Sequence, residues 1–145
     1  MENWNFGSMK PSLMTINCSV NPIILFVSVW PDEVIDNLIN TPLLAVAEAK
    51  KQDFEKGWGQ CLAEMIACQK INHSDKLMIY GIVSTGTFWE FGQLSENRFT
   101  QHSISYSVAT EPQKVFGILD YIFAQCEKQA DSITTKEKLY AYIEN

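Results

Sequence analysis

The stretch Leu43–Met65, LLAVAEAKKQDFEKGWGQCLAEM, decides the fold. Its first part, Leu43–Ala49, is apolar and reads as a buried strand, yet it closes on Glu48 and, past Ala49, on Lys50. Side chains alternate across a strand, so Leu44, Val46, Glu48 and Lys50 line one face while Ala45, Ala47 and Ala49 line the other. The alanine face is small enough for a helix to pack close. Asp53 then has the chemistry of a helix N-cap, and Phe54, Trp58, Cys61, Leu62, Met65 and Ile66 recur at helical spacing behind it, to an end near Asn72.

Working outward, Ile23–Trp30 is β-branched and aromatic and reads as a strand stopped by Pro31. Residues 1–21 carry no strand or helix period and read as an irregular arm. The segment Asp32–Thr41, which ends before Pro42, fits a loop, one helical turn or a short strand. Downstream, Asn72–Asp75 is a loop, and Leu77–Thr85 and Thr87–Leu94 flank Gly86 as a hairpin. Phe99–Val108 alternates loosely as a further strand. Pro112 opens a long helix with Val115, Ile118, Leu119, Ile122, Phe123 and Cys126 on one face, and a short tail helix is expected around Lys136–Ile143. Strand, strand, helix, three strands and a helix make one α/β (α+β) domain with a mixed central sheet, and 145 residues suit a single domain.

Composition narrows the function. Seventeen acidic against eleven basic residues give a net charge of −6, which counts against a protein that grips nucleic acid through a basic field. Four cysteines, none in a C-x-x-C pair, and two histidines make a structural zinc site a poor fit; the cysteines read as reduced and packed, as in a cytosol. No leader pattern opens the chain, and the longest apolar run, Pro22–Pro31, falls short of the about 20 residues that span a bilayer. A soluble, cytoplasmic protein without a membrane partner is expected. No G-x-x-x-x-G-K-[ST] phosphate loop is present, His73 and His102 have no acid nearby in sequence, and Trp30, Trp58 and Trp89 alternate with core residues as packing side chains.

The charged end of the strand remains. Burying Glu48 and Lys50 beside Leu44 and Val46 is costly unless both heads reach water or something compensates them. A carboxylate can hold a divalent cation, and a neighbouring lysine can stabilise a phosphate or orient an attacking water. One carboxylate is a weak magnesium site, so this chemistry needs a second acid beside Glu48.

Here the residues carry a resemblance. LLAVAEAKK followed by GWGQCLAEM resembles the E-x-K strand and following helix of the PD-(D/E)XK nuclease superfamily, and IYGIVSTGTFWEFGQL is similar to the strand–turn–strand that follows in small uncharacterised bacterial members. The same run resembles the nuclease part of type I restriction subunits. The likeness covers about Leu43 to Leu94. It implies a restriction endonuclease-like mixed sheet flanked by helices and a DNA phosphodiesterase using Mg²⁺ or Mn²⁺. It also implies Glu48 as metal-binding acid, Lys50 as catalytic lysine and Gln60 facing the site. Lys51 and Lys56, with Lys50, are the basic cluster expected to contact phosphates where DNA binds.

The family also requires an aspartate on the strand paired with the E-x-K strand, and two registers compete. A tight hairpin centred near Asn40 sets Asp32 opposite Glu48 as the second metal ligand, with Asp36 too far along the strand. If Ile23–Trp30 is the partner instead, Ile24 falls opposite Glu48; similar family members begin that run with aspartate, and the metal site is broken. The rival to an enzyme is a noncatalytic domain that keeps the fold and binds a protein partner or a second copy of itself.

Overall fold

A computed structural model describes residues 14–18, 23–27, 42–49 and 53–143. In chain order the elements are β1 (Met14–Cys18), β2 (Ile23–Val27), β3 (Ala45–Ala49), α1 (Phe54–Ile71), β4 (Ile79–Ser84), β5 (Phe88–Ser95), β6 (Arg98–Gln101), β7 (Tyr106–Ser107) and α2 (Pro112–Ile143). The strands form one mixed sheet in the order β1-β2-β3-β4-β5-β6, with β7 also on β5. β3 and β4 run parallel and are joined by α1; the remaining pairs are antiparallel. This is the α/β class expected from the sequence.

Three elements differ from expectation. Met14–Cys18 is a strand rather than part of an irregular arm, and it pairs along its whole length with β2. Its sequence, MTINC, alternates apolar with polar residues over five positions, a short strand signal set in an otherwise unpatterned stretch. The stretch Phe99–Val108 divides into β6 and β7. His102 N donates to Phe91 O at 2.8 Å, the chain leaves the ladder, and it rejoins β5 where Tyr106 pairs with Trp89. The tail helix is continuous with α2, because no proline or glycine lies between Gly117 and Ile143 to end it.

The two faces of the sheet receive different helices. Val46, Gly81 and Gly92 stand in one row across β3, β4 and β5. A Cβ on Gly81 would lie 2.7 Å from Met65 Sδ and 3.1 Å from Cys61 Sγ and Trp58 Cζ3, and one on Gly92 would lie 2.9 Å from Trp58 Cη2. The two glycines thus make a trough that the indole of Trp58 fills, and α1 packs on this face. Tyr80 points the other way and lies beside Tyr121 and Cys126 of α2; burial, then these neighbours, push its phenol up to about 12. A thiol from each helix reaches this strand or its entry: Cys61 Sγ donates to Val46 O of β3 at 3.9 Å and Cys126 Sγ to the O of Leu44, just before β3, at 3.7 Å. The result is a three-layer α/β/α arrangement. Among the described residues no helix is long and apolar enough to cross a membrane.

Two side-chain amides finish the starts of the parallel strands. Leu43 N donates to Asn72 Oδ1 at 2.7 Å while Asn72 Nδ2 donates to Leu43 O at 2.8 Å. Gln129 does the same for Met78, accepting from its N–H at 2.8 Å and donating to its carbonyl at 3.0 Å. Each amide imitates a strand partner for backbone groups that the ladder leaves over. Asn72→Ala and Gln129→Ala are each expected to cost about 1–3 kcal/mol, since truncation strands a part-buried donor and acceptor together. Urea denaturation reads this directly, and a loss within error of zero at both positions would disprove the clamp.

Candidate functional site

Glu48 stands near the end of β3, flanked in register by Ile24 on β2 and Val83 on β4, and Val83 is in turn opposed by Glu90 on β5. These positions form one row across the sheet, next to the row of Val46, Gly81 and Gly92, and on the face that α1 covers. Glu48 is 1 % exposed, so the simple outcome in which its head reaches bulk water at a strand end is not what the fold produces.

α1 supplies the roof over this row. Its N-terminus is fixed by Asp53, whose carboxylate accepts from Lys56 N at 2.9 Å. Helical spacing then turns Trp58, Cys61 and Met65 onto the sheet, all buried. Burial pushes the Cys61 thiol up to about 12; a backbone hydrogen bond with Ile82 opposes the rise and the charge of Glu48 adds to it. Cys61 contacts the carbonyl of Val46, the residue two before Glu48 on the same face of β3. Gln60 precedes Cys61 and is half-buried, and its Oε1 is a buried acceptor that receives no hydrogen bond.

Sequence reasoning missed Glu90. Trp58 Nε1 donates to Glu90 Oε2 at 2.6 Å, and Gln101 Nε2 donates to the same oxygen at 3.0 Å. A buried indole needs an acceptor for its N–H, and a carboxylate is a strong one. The available signal was alternation: Phe88, Glu90, Gly92 and Leu94 share a face of β5, so Glu90 is an acid on the side that meets α1.

The expected site residues divide as follows. Glu48 and Gln60 lie on the facing elements β3 and α1. Lys56 is exposed in the first turn of α1. Lys50, Lys51 and Asp32 lie outside the described residues. Of the two competing registers, the observed ladder has Ile24 across from Glu48, with Leu25 across from Ala47 and Phe26 across from Val46. The ladder position across from Glu48 is taken by β2, built from β-branched and aromatic residues.

An isoleucine position offers no oxygen to a cation. Glu90, the other acid in the row, is two strands from Glu48, about 10 Å between Cα atoms, with Val83 between. Among the described residues no group of three or more His, Cys, Asp or Glu is placed to hold a metal ion. Among the described residues one carboxylate and one amide oxygen would leave most of the six oxygen positions of Mg²⁺ to substrate phosphate and water. Comparison with protein-family models, curated proteins and solved structures finds no match to this chain.

Proposed function

We propose that this chain is a domain of PD-(D/E)XK nuclease type, descended from a Mg²⁺-dependent phosphodiesterase acting on DNA, and that it now works as a noncatalytic interaction domain. The descent is supported by the buried acid of the E-x-K segment on a central strand, with the following helix laid over it and Gln60 on that helix. The observation that carries the loss of hydrolysis is the register, which pairs Glu48 with Ile24. The ladder position across from Glu48 is an isoleucine, which gives no oxygen there toward an ion that would polarise a phosphoester or activate water. The net charge of −6 suits a protein partner or a second copy of the chain better than a phosphate backbone.

Cleavage assays test this reading. Supercoiled plasmid and single-stranded DNA, incubated with the protein and Mg²⁺ or Mn²⁺, are expected to stay intact, with wild type and Glu48→Ala indistinguishable. Cleavage by the wild type that Glu48→Ala abolishes would show that hydrolysis survives.

A further inference from the structure

The outer side of α2 carries more apolar surface than a solvated helix needs. Val115, Ile122, Cys126 and Ala130 turn into the core, which leaves the other side of the helix to water. Yet Tyr121, Leu139 and Tyr142 stand on that outer side, 58 %, 56 % and 84 % exposed. They share one stripe with Gly117, Lys128 and Asp131, at the separations that keep side chains on one side of a helix. We propose that this stripe pairs antiparallel with the same stripe of a second copy of the chain, about a two-fold axis between residues 129 and 130. The pairing names a partner for the interaction role proposed above and rests on that reading. Three observations support it.

First, large meets small. In this register Tyr142 of one copy falls opposite Gly117 of the other. A Cβ on Gly117 would meet nothing within 4 Å, so no contact inside the chain requires glycine there, where it weakens the helix. A ring laid across the helix from a second copy does require it. Second, charge meets opposite charge. Lys128 falls opposite Asp131 of the second copy, once on each side of the axis, and both residues are exposed. A parallel pairing would set Lys128 against Lys128 and Asp131 against Asp131, which is repulsive. Four lysines balance four acidic residues along α2, so the net charge of −6 does not hold the two helices apart. Third, the strip is long enough. Residues 117–142 span about 39 Å of a helix about 10 Å wide, so two copies cover on the order of 1,000 Å² together. This is the lower end for a specific interface, and Tyr121 opposite Leu139 supplies its apolar contact. A two-fold contact uses the same stripe on both copies and closes as a dimer.

Sedimentation equilibrium of the full chain, over concentrations up to about 100 µM, is the test. The wild type is expected to dimerise with micromolar affinity, as suits a small interface. Lys128→Glu and Asp131→Lys should each weaken the dimer at least about tenfold, since each sets like charges opposite one another twice. Both positions are exposed, so both variants keep the fold. Mixed in equal amounts, the two variants should form a heterodimer of near wild-type affinity, because each supplies the charge the other lacks. Gly117→Leu should also weaken the dimer, by filling the seat of Tyr142, while its open surroundings leave the single copy folded. A wild type that stays monomeric throughout overturns the inference, and so does a dimer that the charge variants leave unchanged or a mixture that fails to associate. Each of those results leaves the noncatalytic reading standing, with a different protein as partner. DNA cleavage that Glu48→Ala abolishes overturns that reading whatever the oligomeric state, so the two failures are told apart.

Discussion

Gly92→Val is expected to remove about 3 kcal/mol of folding free energy, at the upper end of what overpacking a core costs. A domain of this kind holds about 5–15 kcal/mol in total, so the variant should unfold at markedly lower urea. The reason is the trough described above. A Cβ at position 92 would sit 2.9 Å from Trp58 Cη2, 3.1 Å from Phe99 Cε2 and 3.1 Å from the backbone oxygen of Thr100. Two of these are rings already packed on each other, 5.5 Å between centroids, and the third belongs to the neighbouring strand, so nothing can yield cheaply. Gly81 provides the contrast. Its tightest neighbour is Met65 Sδ at 2.7 Å, near the end of a flexible side chain, so Gly81→Ala should cost less than Gly92→Ala. Trp58→Leu placed on Gly92→Ala should recover part of the loss by vacating the trough. Equal stability of Gly92→Val and wild type would refute the packing argument.

Much of this arrangement could be read before any coordinates. Leu43–Ala49 reads as a strand, Asp53 as an N-cap and Asn72 as the end of the helix, and β3, α1 and its caps fall there. The β4–β5 hairpin turns at Gly86, which has φ +90, the conformation that glycine adopts without strain. What was not legible was short or local. β1 alternates apolar with polar residues over only five positions, too brief a signal to stand out from the chain around it. The β5–β6 turn is carried by Glu96 and Asn97 at φ 50 and 58, and Glu96 is not a residue that announces a left-handed turn.

The register at Glu48 shows the same limit in its sharpest form. Alternation holds within one strand and is not carried through a turn, so the pattern of β3 says which face Glu48 uses and leaves its partner on the next strand open. The choice rests on how much chain is spent between the strands: pairing Asp32 with Glu48 needs a short hairpin, and pairing Ile24 needs a long connection. Strand propensity pointed to Ile23–Trp30, and the presence of Glu48, Lys50 and Gln60 pointed to a site still in need of its acid. The ladder follows propensity.

Alkaline pH should unfold this protein through its thiols. Cys61, Cys68 and Cys126 are fully buried and each is pushed from 9.0 up to about 12, in every case chiefly by burial, which disfavours the thiolate. The unfolded chain releases these protons near pH 9, whereas the folded chain holds them until about pH 12. Between those limits the native state binds more protons than the unfolded state, so stability falls as pH rises. It is complete below about pH 9 and is progressively lost toward pH 12. A rise from 9.0 to about 12 corresponds to on the order of 4 kcal/mol for each thiol, enough together to rival the whole stability of the domain. Tyr80, raised from 10.0 to about 12, works in the same direction. Urea titrations at a series of pH values are expected to show stability dropping by roughly 4 kcal/mol per pH unit once the unfolded-state thiols have ionised. In the triple variant Cys61→Ala, Cys68→Ala, Cys126→Ala the absolute stability will be lower because side-chain volume is lost, so the slope against pH is the informative quantity. That slope should flatten to the share contributed by tyrosine and the other groups of high pKa. If it matches the wild type, the buried thiols do not set the alkaline limit.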